Sequence, residues 1–284
     1  MLEINKIYNI DCLEGLKLID DNSIDLIVTD PPYNIKLQEW DNLESGKYIK
    51  LIIDCLDEFK RIIKDDGSIY LFGTTYSKDF IKIMLFIHDN FNFINHIKWC
   101  KNSGISATKN KFIKQTEDII FFSKNKKYKF YPQYQFSFFE NVYNRFKKSD
   151  KDNDGIIYIR DLKESGEKYQ YNIRIKRGQK DDDIFIDITK ENKLVMDWWY
   201  FTNLIHKEAN SFKKLNFAVK PLELIKRCIT ASSDINDIIL DCFVGSGTTM
   251  VACKQLNRNF IGFEISKLYC EVANNRLNLE RKNE

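Results

Sequence analysis

DIILDCFVGSGTTM, residues 237–250, is the stretch that decides the fold. It opens as a strand of the buried, apolar type and ends on Asp241. It then turns through Phe243-Val244-Gly245-Ser246-Gly247 and enters a helix at Thr248-Thr249. Glycines let the backbone turn sharply and approach a ligand with no Cβ in the way. A helix that starts there offers free N–H groups and the positive end of its dipole to an anionic group.

Roughly 20 residues past the turn, FIGFEI (260–265) reads as the next strand and carries Glu264 near its end. An acid at that position reaches the ribose hydroxyls of a nucleoside cofactor on a doubly wound sheet. A nicotinamide dinucleotide is disfavoured, because its G-x-G-x-x-G fingerprint needs a third glycine where Met250 stands. Asp241 would also repel a pyrophosphate. A cofactor with one adenosine and a methionine-type zwitterion fits better, which points to S-adenosylmethionine. A plain strand-to-helix turn could use the same residues, so the rest of the chain has to decide.

Outward from this stretch, strands alternate with helices. On the N-terminal side, strands are expected at 6–10, 23–29, 65–73, 93–100 and 117–124, with helices at 12–19, 47–64 and 77–89. On the C-terminal side, helices at 221–232, 248–257 and 268–281 flank strands 237–243 and 260–265. This rhythm predicts an α/β fold: a doubly wound, mostly parallel, Rossmann-like sheet covered on both faces. Between the two halves, residues 125–195 interleave aromatics with lysines and lose clean periodicity. They read as an inserted, less regular region with loops near 147–155 and 177–184. The expected division is 1–124, 125–215 and 216–284.

The whole chain sets further bounds. At 284 residues with 43 % hydrophobic and 30 % charged content, it can bury a core and solvate a surface. No run approaches the ~18 apolar residues of a membrane span, and the N-terminus has no signal-peptide pattern. Seven cysteines scattered singly suit a reducing cytoplasm rather than a disulfide framework. Only three histidines occur, none paired at i,i+4, so no metal site is expected. Net charge is +3, yet residues 124–214 carry 20 Lys and Arg against 14 Asp and Glu. That basic middle suits a polyanionic partner.

A second motif lies at SIDLIVTDPPYNI (23–35), where another apolar strand runs into Asp30-Pro31-Pro32-Tyr33. Two prolines cannot continue a sheet ladder, so the strand stops there. A carboxylate, two rigid residues and an aromatic ring are then presented at its end.

Together, TDPPYNI, LDCFVGSGTT, NFIGFEIS and KPLELIKRCI resemble the β-class, or permuted, DNA amino-methyltransferases, in their order as well as their content. The likeness covers nearly all of residues 3–277 and loosens across 125–195. It is greatest to adenine-N6 modification methylases of type II restriction systems. The resemblance implies a circularly permuted methyltransferase with S-adenosylmethionine as cofactor, double-stranded DNA as substrate and the 125–215 region for target recognition. A homodimer and a cognate restriction endonuclease are the further partners such a likeness brings into view. By position, Asp30 and the Pro31 carbonyl would accept hydrogen bonds from the target amino group, and Tyr33 would stack on the extruded base. Phe243, Gly245, Ser246 and Gly247 would line the cofactor beside Asp241. Thr248, Thr249 and Lys220 would lie near its methionine end, Glu264 would hold the ribose, and Asp11 would reach the adenine. Cys242 stands where the family usually has proline, and NFAVKP lacks a histidine found before Lys-Pro in many relatives.

The chemistry fits the residues. An exocyclic amino nitrogen is a poor nucleophile because its lone pair is delocalised into the ring. Accepting hydrogen bonds from its N–H groups holds it nearer tetrahedral geometry, and an ionised Asp is acceptor-only. The target must flip out of the duplex, and stacking on an aromatic ring returns part of that free energy. Cytosine-C5 chemistry needs a cysteine nucleophile, commonly after proline, and no cysteine here follows a proline. Asp at the head of the motif and the overall likeness favour adenine N6 over cytosine N4. A methylase of RNA or of a protein glutamine, and a catalytically silent DNA-binding protein on the same fold, are the rival readings. Lys101, Lys109, Lys111 and Lys114 are expected to contact the DNA backbone. The aromatics Phe130, Tyr131, Tyr134, Phe136, Phe138 and Phe139 are expected to form the core of the recognition region rather than stack on bases, and Trp198 and Trp199 to be packing anchors rather than DNA contacts.

Overall fold

The computed structural model describes residues 2–35, 43–101, 115–135, 158–165, 168–177, 180–189, 193–194, 197–201 and 219–280. The chain divides into two compact units, Met1–Tyr131 with Met196–Glu284, and Pro132–Val195.

The first unit contains, in chain order, β1 (Lys6–Tyr8), α1 (Cys12–Leu16), β2 (Ile24–Thr29), α2 (Ser45–Ile62), β3 (Ile63–Gly73), α3 (Lys78–Asn90), β4 (Asn92–Cys100) and β5 (Thr116–Ser123). The second unit contributes β6 (Tyr134–Gln135), β7 (Tyr158–Ser165), β8 (Lys168–Arg177), β9 (Lys180–Thr189) and β10 (Lys193–Leu194). The chain returns to the first unit with β11 (Trp198–Tyr200), α4 (Leu222–Ser232), β12 (Ile238–Asp241), α5 (Thr248–Gln255), β13 (Asn259–Phe263) and α6 (Lys267–Glu280).

Eight strands form one sheet in the order β1-β13-β12-β2-β3-β5-β4-β11. Every neighbouring pair is parallel except β3–β5 and β5–β4, so β5 alone runs against the rest. All six positions of β2, IDLIVT, are buried, as an apolar strand covered on both faces requires. On one face Leu16, Ile52, Phe59 and Ile83 from α1–α3 pack with Ile27, Ile69, Leu71, Leu240 and Phe263 of the sheet. The stripe Tyr48, Ile52, Cys55, Leu56, Phe59, Ile62 is why α2 forms there: its i, i+4, i+7, i+8 spacing makes a single apolar face. The other face is covered by α4, which packs on β2 and β3 beside α5. There Tyr70 stacks on Phe121 at 4.4 Å and shares a 2.9 Å hydrogen bond with Ser232. The fold is thus the doubly wound α/β sheet that the alternating pattern predicts.

Several local expectations shift. The first helix stops at Leu16, because Leu18 and Ile19 close back on Gly15 and Leu16 as a tight turn. Of the loop expected near 177–184, residues 177 and 180–184 are strand instead, with β8 and β9 paired from Lys168↔Thr189 to Arg177↔Lys180. A run of charges there suggested loop, but the alternating β-branched residues on either side make two strands. With β7 they form a three-stranded antiparallel sheet in the second unit, where β6 and β10 also pair. Phe130 and Tyr131 are 47 % and 42 % exposed, so they are not core; Tyr131 donates to Asp234 at 2.6 Å. Trp199 is buried and stacks under Arg227, as expected of a packing residue. Positions 136–157 and 202–218 lie outside the described residues.

Candidate active site

The chain leaves β2 for β3 on one side and β12 for β13 on the other, so the strand order reverses between β2 and β12. A crevice opens outside the carboxyl ends of two such strands, and ligands bind there. The two ends are bonded to each other. Thr29, the last residue of β2, donates to Asp241 Oδ1 at 2.9 Å and accepts from the Cys242 amide at 3.2 Å. The Phe243 amide also donates to Asp241, at 3.1 Å. Burial pushes the Asp241 carboxyl up to about 6, against the hydrogen bonds from Thr249, Phe243 and Thr29.

Beyond Asp241 the glycine turn takes the conformation that its residues permit. Gly245 has φ +52° and Gly247 φ +82°, both left-handed. The Gly245 amide donates to Glu264 Oε2 and the Ser266 amide to Oε1, each at 2.8 Å. Glu264 is therefore fixed by two backbone donors, with the remaining lone pairs of both oxygens available to hydroxyls. Burial raises its carboxyl above the usual carboxylate range. Arg276 of α6 grips the turn from behind: its Nη1 donates to the Ser246 carbonyl, the Ser246 hydroxyl and, at 2.8 Å, the Thr248 hydroxyl. The N-terminus of α5 at Gly247 has no side-chain cap. A carboxylate poised for vicinal hydroxyls, a Cβ-free turn and an uncapped helix start fit a nucleoside carrying a short zwitterionic tail. Asp11 caps α1 through Leu13 N at 2.9 Å and Glu14 N at 3.4 Å, next to β1 on the same side of the sheet.

On the β2 side of the crevice, Asp30-Pro31-Pro32-Tyr33 ends in Asn34, which adopts φ +53° and donates to Asp79 of α3 at 3.1 Å. Asp79 also accepts from Ser45 at the start of α2, at 2.5 Å, and so ties the turn to two helices. Asp30 Oδ1 accepts from the Tyr33 hydroxyl at 2.8 Å, and Oδ2 accepts from the Lys220 ammonium. Burial raises the Asp30 carboxyl, with the Lys220 charge pulling the other way. Glu117 of β5 completes the group. Its Oε2 lies 3.2 Å from the Tyr33 hydroxyl and 3.6 Å from Lys220 Nζ, while Oε1 pairs with Lys101. Lys220 and Lys101 hold Glu117 below its usual range despite burial. Lys220 loses by burial but gains more from Asp30 and Glu117, so its ammonium form is reinforced.

Asp30, Tyr33, Asp241, Gly245, Ser246, Gly247, Thr248, Thr249 and Glu264 line the carboxyl ends of β2, β12 and β13. Lys220, expected near a cofactor tail, has its ammonium on Asp30 and 3.6 Å from Glu117. Lys101, expected at the DNA backbone, pairs with Glu117 above the Trp99 ring at 4.5 Å. Lys109, Lys111 and Lys114 lie outside the described residues. Sequence reasoning missed Glu117, Arg276, Thr29 and Asp79. The one available signal was the acidic pair Glu117-Asp118 opening an apolar run, an unusual start for a buried strand. Among the described residues, no cluster of three His, Cys, Asp or Glu could hold a metal, and no helix is long and apolar enough to cross a membrane.

Fold and glycine turn together are those of an enzyme with a nucleoside cofactor, and Asp30 and Tyr33 stand at the neighbouring strand end. The chain belongs to the DNA methylase family, which it matches over residues 24–275. It is 33 % identical over 282 residues to the type II methyltransferase M1.MboII of Moraxella bovis, covering 98 % of each chain. It is also 31 % identical to the type II methyltransferase M.BglII of Bacillus subtilis, covering 95 % of this chain and 68 % of that one. Among solved structures, the fold matches the PvuII DNA methyltransferase (cytosine-N4-specific) with a TM-score of 0.65 at 17 % identity, over 95 % of this chain and 85 % of that one. It matches the M1.HpyAVI–SAM complex with a TM-score of 0.54 at 23 % identity, over 96 % and 99 %.

Proposed function

We propose that this DNA methylase transfers a methyl group from S-adenosylmethionine to the N6 amino group of adenine in a short double-stranded DNA sequence, as the modification enzyme of a type II restriction–modification system. The observation that carries the reading is Asp30. An acceptor carboxylate ends β2, one strand from the glycine turn and coupled to it through Thr29 and Asp241. Bound S-adenosylmethionine supplies an electrophilic methyl on a sulfonium. Glu264 would hold the ribose hydroxyls, and the turn with the start of α5 would take the charged tail. Asp30 would accept from the target N–H groups and keep the nitrogen lone pair directed at the methyl. The Pro31 carbonyl, fixed in direction by its ring, would accept the second N–H. Tyr33 would stack on the flipped base. Asp at the head of the motif favours adenine. The basic insertion favours nucleic acid over a protein glutamine.

The test is nucleoside analysis of unmethylated DNA after incubation with the protein and S-adenosylmethionine. N6-methyladenine is the expected product. N4-methylcytosine would keep the Asp30 chemistry and replace the target base. Cofactor binding with neither product would turn the reading to RNA, a protein or a silent DNA binder.

A further inference from the structure

Both oxygens of Asp30 already accept a donor: Oδ1 the Tyr33 hydroxyl and Oδ2 the Lys220 ammonium. Each oxygen keeps a further lone pair, so a target amino group competes with Lys220 and Tyr33 for the strength of one acceptor, and gains most of it only where those two donors move away. Lys220 is 9 % exposed and is ringed by Tyr33, Phe72 and Trp99 at 5.3, 5.7 and 6.0 Å. An ammonium so enclosed cannot be released to water and is strongly disfavoured without a carboxylate. One oxygen is already in place to receive both donors. Glu117 Oε2 is 3.2 Å from the Tyr33 hydroxyl and 3.6 Å from Lys220 Nζ. Lys101 holds the other oxygen of Glu117, which leaves Oε2 turned towards the pair. A shift of roughly 1 Å would bring Lys220 to full charge-assisted contact with Glu117.

The geometry points to Glu117 as a positioning residue that takes Lys220 and Tyr33 off Asp30 when the target amino group arrives. The exchange moves no proton. Two carboxylates, Asp30 and Glu117, face two ammonium groups, Lys101 and Lys220, before and after it. Lys220 and Lys101 hold the Glu117 carboxyl below its usual range against the effect of burial, which favours its ionised form. Its β5 strand reaches the site only because it runs antiparallel, and no part of the Asp-Pro-Pro-Tyr motif announces it. The inference rests on the DNA amino-methyltransferase reading above, and the experiment separates the two.

Glu117→Gln keeps the size of the side chain and removes the charge that would receive Lys220. Three quantities are measured on wild type and variant: single-turnover transfer of labelled methyl to unmethylated DNA, the S-adenosylmethionine Kd by calorimetry, and the Kd for the same DNA by anisotropy. The variant should transfer about 10- to 100-fold more slowly with both Kd values within about twofold of wild type. Glu117→Asp, which restores the charge but withdraws it by one methylene, should recover part of the lost rate. A Glu117→Gln rate within about twofold of wild type would overturn the proposal. So would a slower rate matched by weaker cofactor and DNA binding, which marks a purely structural ion pair. If Glu117→Gln does not fold, Glu117→Asp carries the test: a transfer rate equal to wild type would overturn the proposal. Absence of DNA methylation by the wild type would instead remove the functional reading on which the inference stands.

Discussion

Gly247→Ala tests whether α6 sets the position of the cofactor turn. A Cβ at Gly247 would stand 2.8 Å from the Ala273 Cβ and 3.1 Å from its Cα, so backbone and helix would have to separate. Overpacking of this kind costs about 1–3 kcal/mol. The φ of +82° adds about 1–2 kcal/mol for a residue with a Cβ. The expected loss is therefore about 2–5 kcal/mol. Gly245→Ala is the internal control. Its φ of +52° carries the same strain, but the nearest atom to its Cβ is the Phe243 carbonyl at 3.9 Å, so only about 1–2 kcal/mol should be lost. Urea denaturation of the three proteins gives the stabilities, and calorimetry with S-adenosylmethionine gives cofactor binding. Binding should weaken in both variants, because both alter the turn. Stability should fall further in Gly247→Ala. Equal losses in the two variants would refute the reasoning, since they would mean that contact with Ala273 does not constrain the turn.

Four further outcomes follow from the site. Asp241, at about 6 in the folded protein against an ordinary value near 3.9, binds its proton more tightly when folded. Stability should therefore fall as pH rises from about 4 to about 6 and stay lower above that, by on the order of 3 kcal/mol at most. Asp241→Asn keeps an acceptor for Thr29 and Phe243, so denaturation midpoints of variant and wild type should diverge towards pH 8; parallel curves would exclude this. Glu264→Gln leaves one of two backbone donors, Gly245 or Ser266, facing an amide nitrogen, and should raise the cofactor Kd about 10- to 100-fold by calorimetry. Arg276→Ala removes the grip on Ser246 and Thr248 and should weaken cofactor binding about 5- to 30-fold in the same assay. Asp30→Ala should bind cofactor yet lose methyl transfer by about 100-fold or more in a labelled-methyl assay.

How much of this could be read from the chain depends on how local each feature is. TDPPY and DCFVGSGTT are contiguous, each a buried strand followed by a turn whose residues dictate its shape, so both were legible as strand-end turns. The sheet was legible for the same reason: β2 is apolar but for Asp25 and its terminal Thr29, and β12 is apolar up to its terminal Asp241. What stayed hidden depends on contacts across the fold. Thr29 and Asp241 are 212 positions apart and meet only because the strand order reverses between their strands. Arg276 looks like any surface arginine near the end of a helix until α6 lies under the glycine turn. The charged run at 177–184 reads as a loop by composition, while the alternation of Ile173 and Ile175 on one side and Ile184, Ile186 and Ile188 on the other carries the strands.

The acidic pair on β5 shows why one reversed strand matters. Parallel strands deliver their last residues to the crevice, so an acid at the start of such a strand would sit at the opposite end of the sheet. Because β5 runs against β3, with Asp118 opposite Gly73, its first residues arrive where the other strands finish. Side chains then alternate across the sheet. Glu117 points among Tyr33, Lys101 and Lys220. Asp118 accepts from the Thr75 amide and hydroxyl at 2.5 and 2.9 Å, pairs with Lys98 and lies 2.7 Å from His96. One acid thus fixes the turn that follows β3, and the other supplies a second carboxylate beside Asp30. Two adjacent residues can divide these tasks only on a strand, where neighbours face opposite sides. Only an antiparallel strand could bring its N-terminal residues to the end of the sheet where the cofactor turn lies.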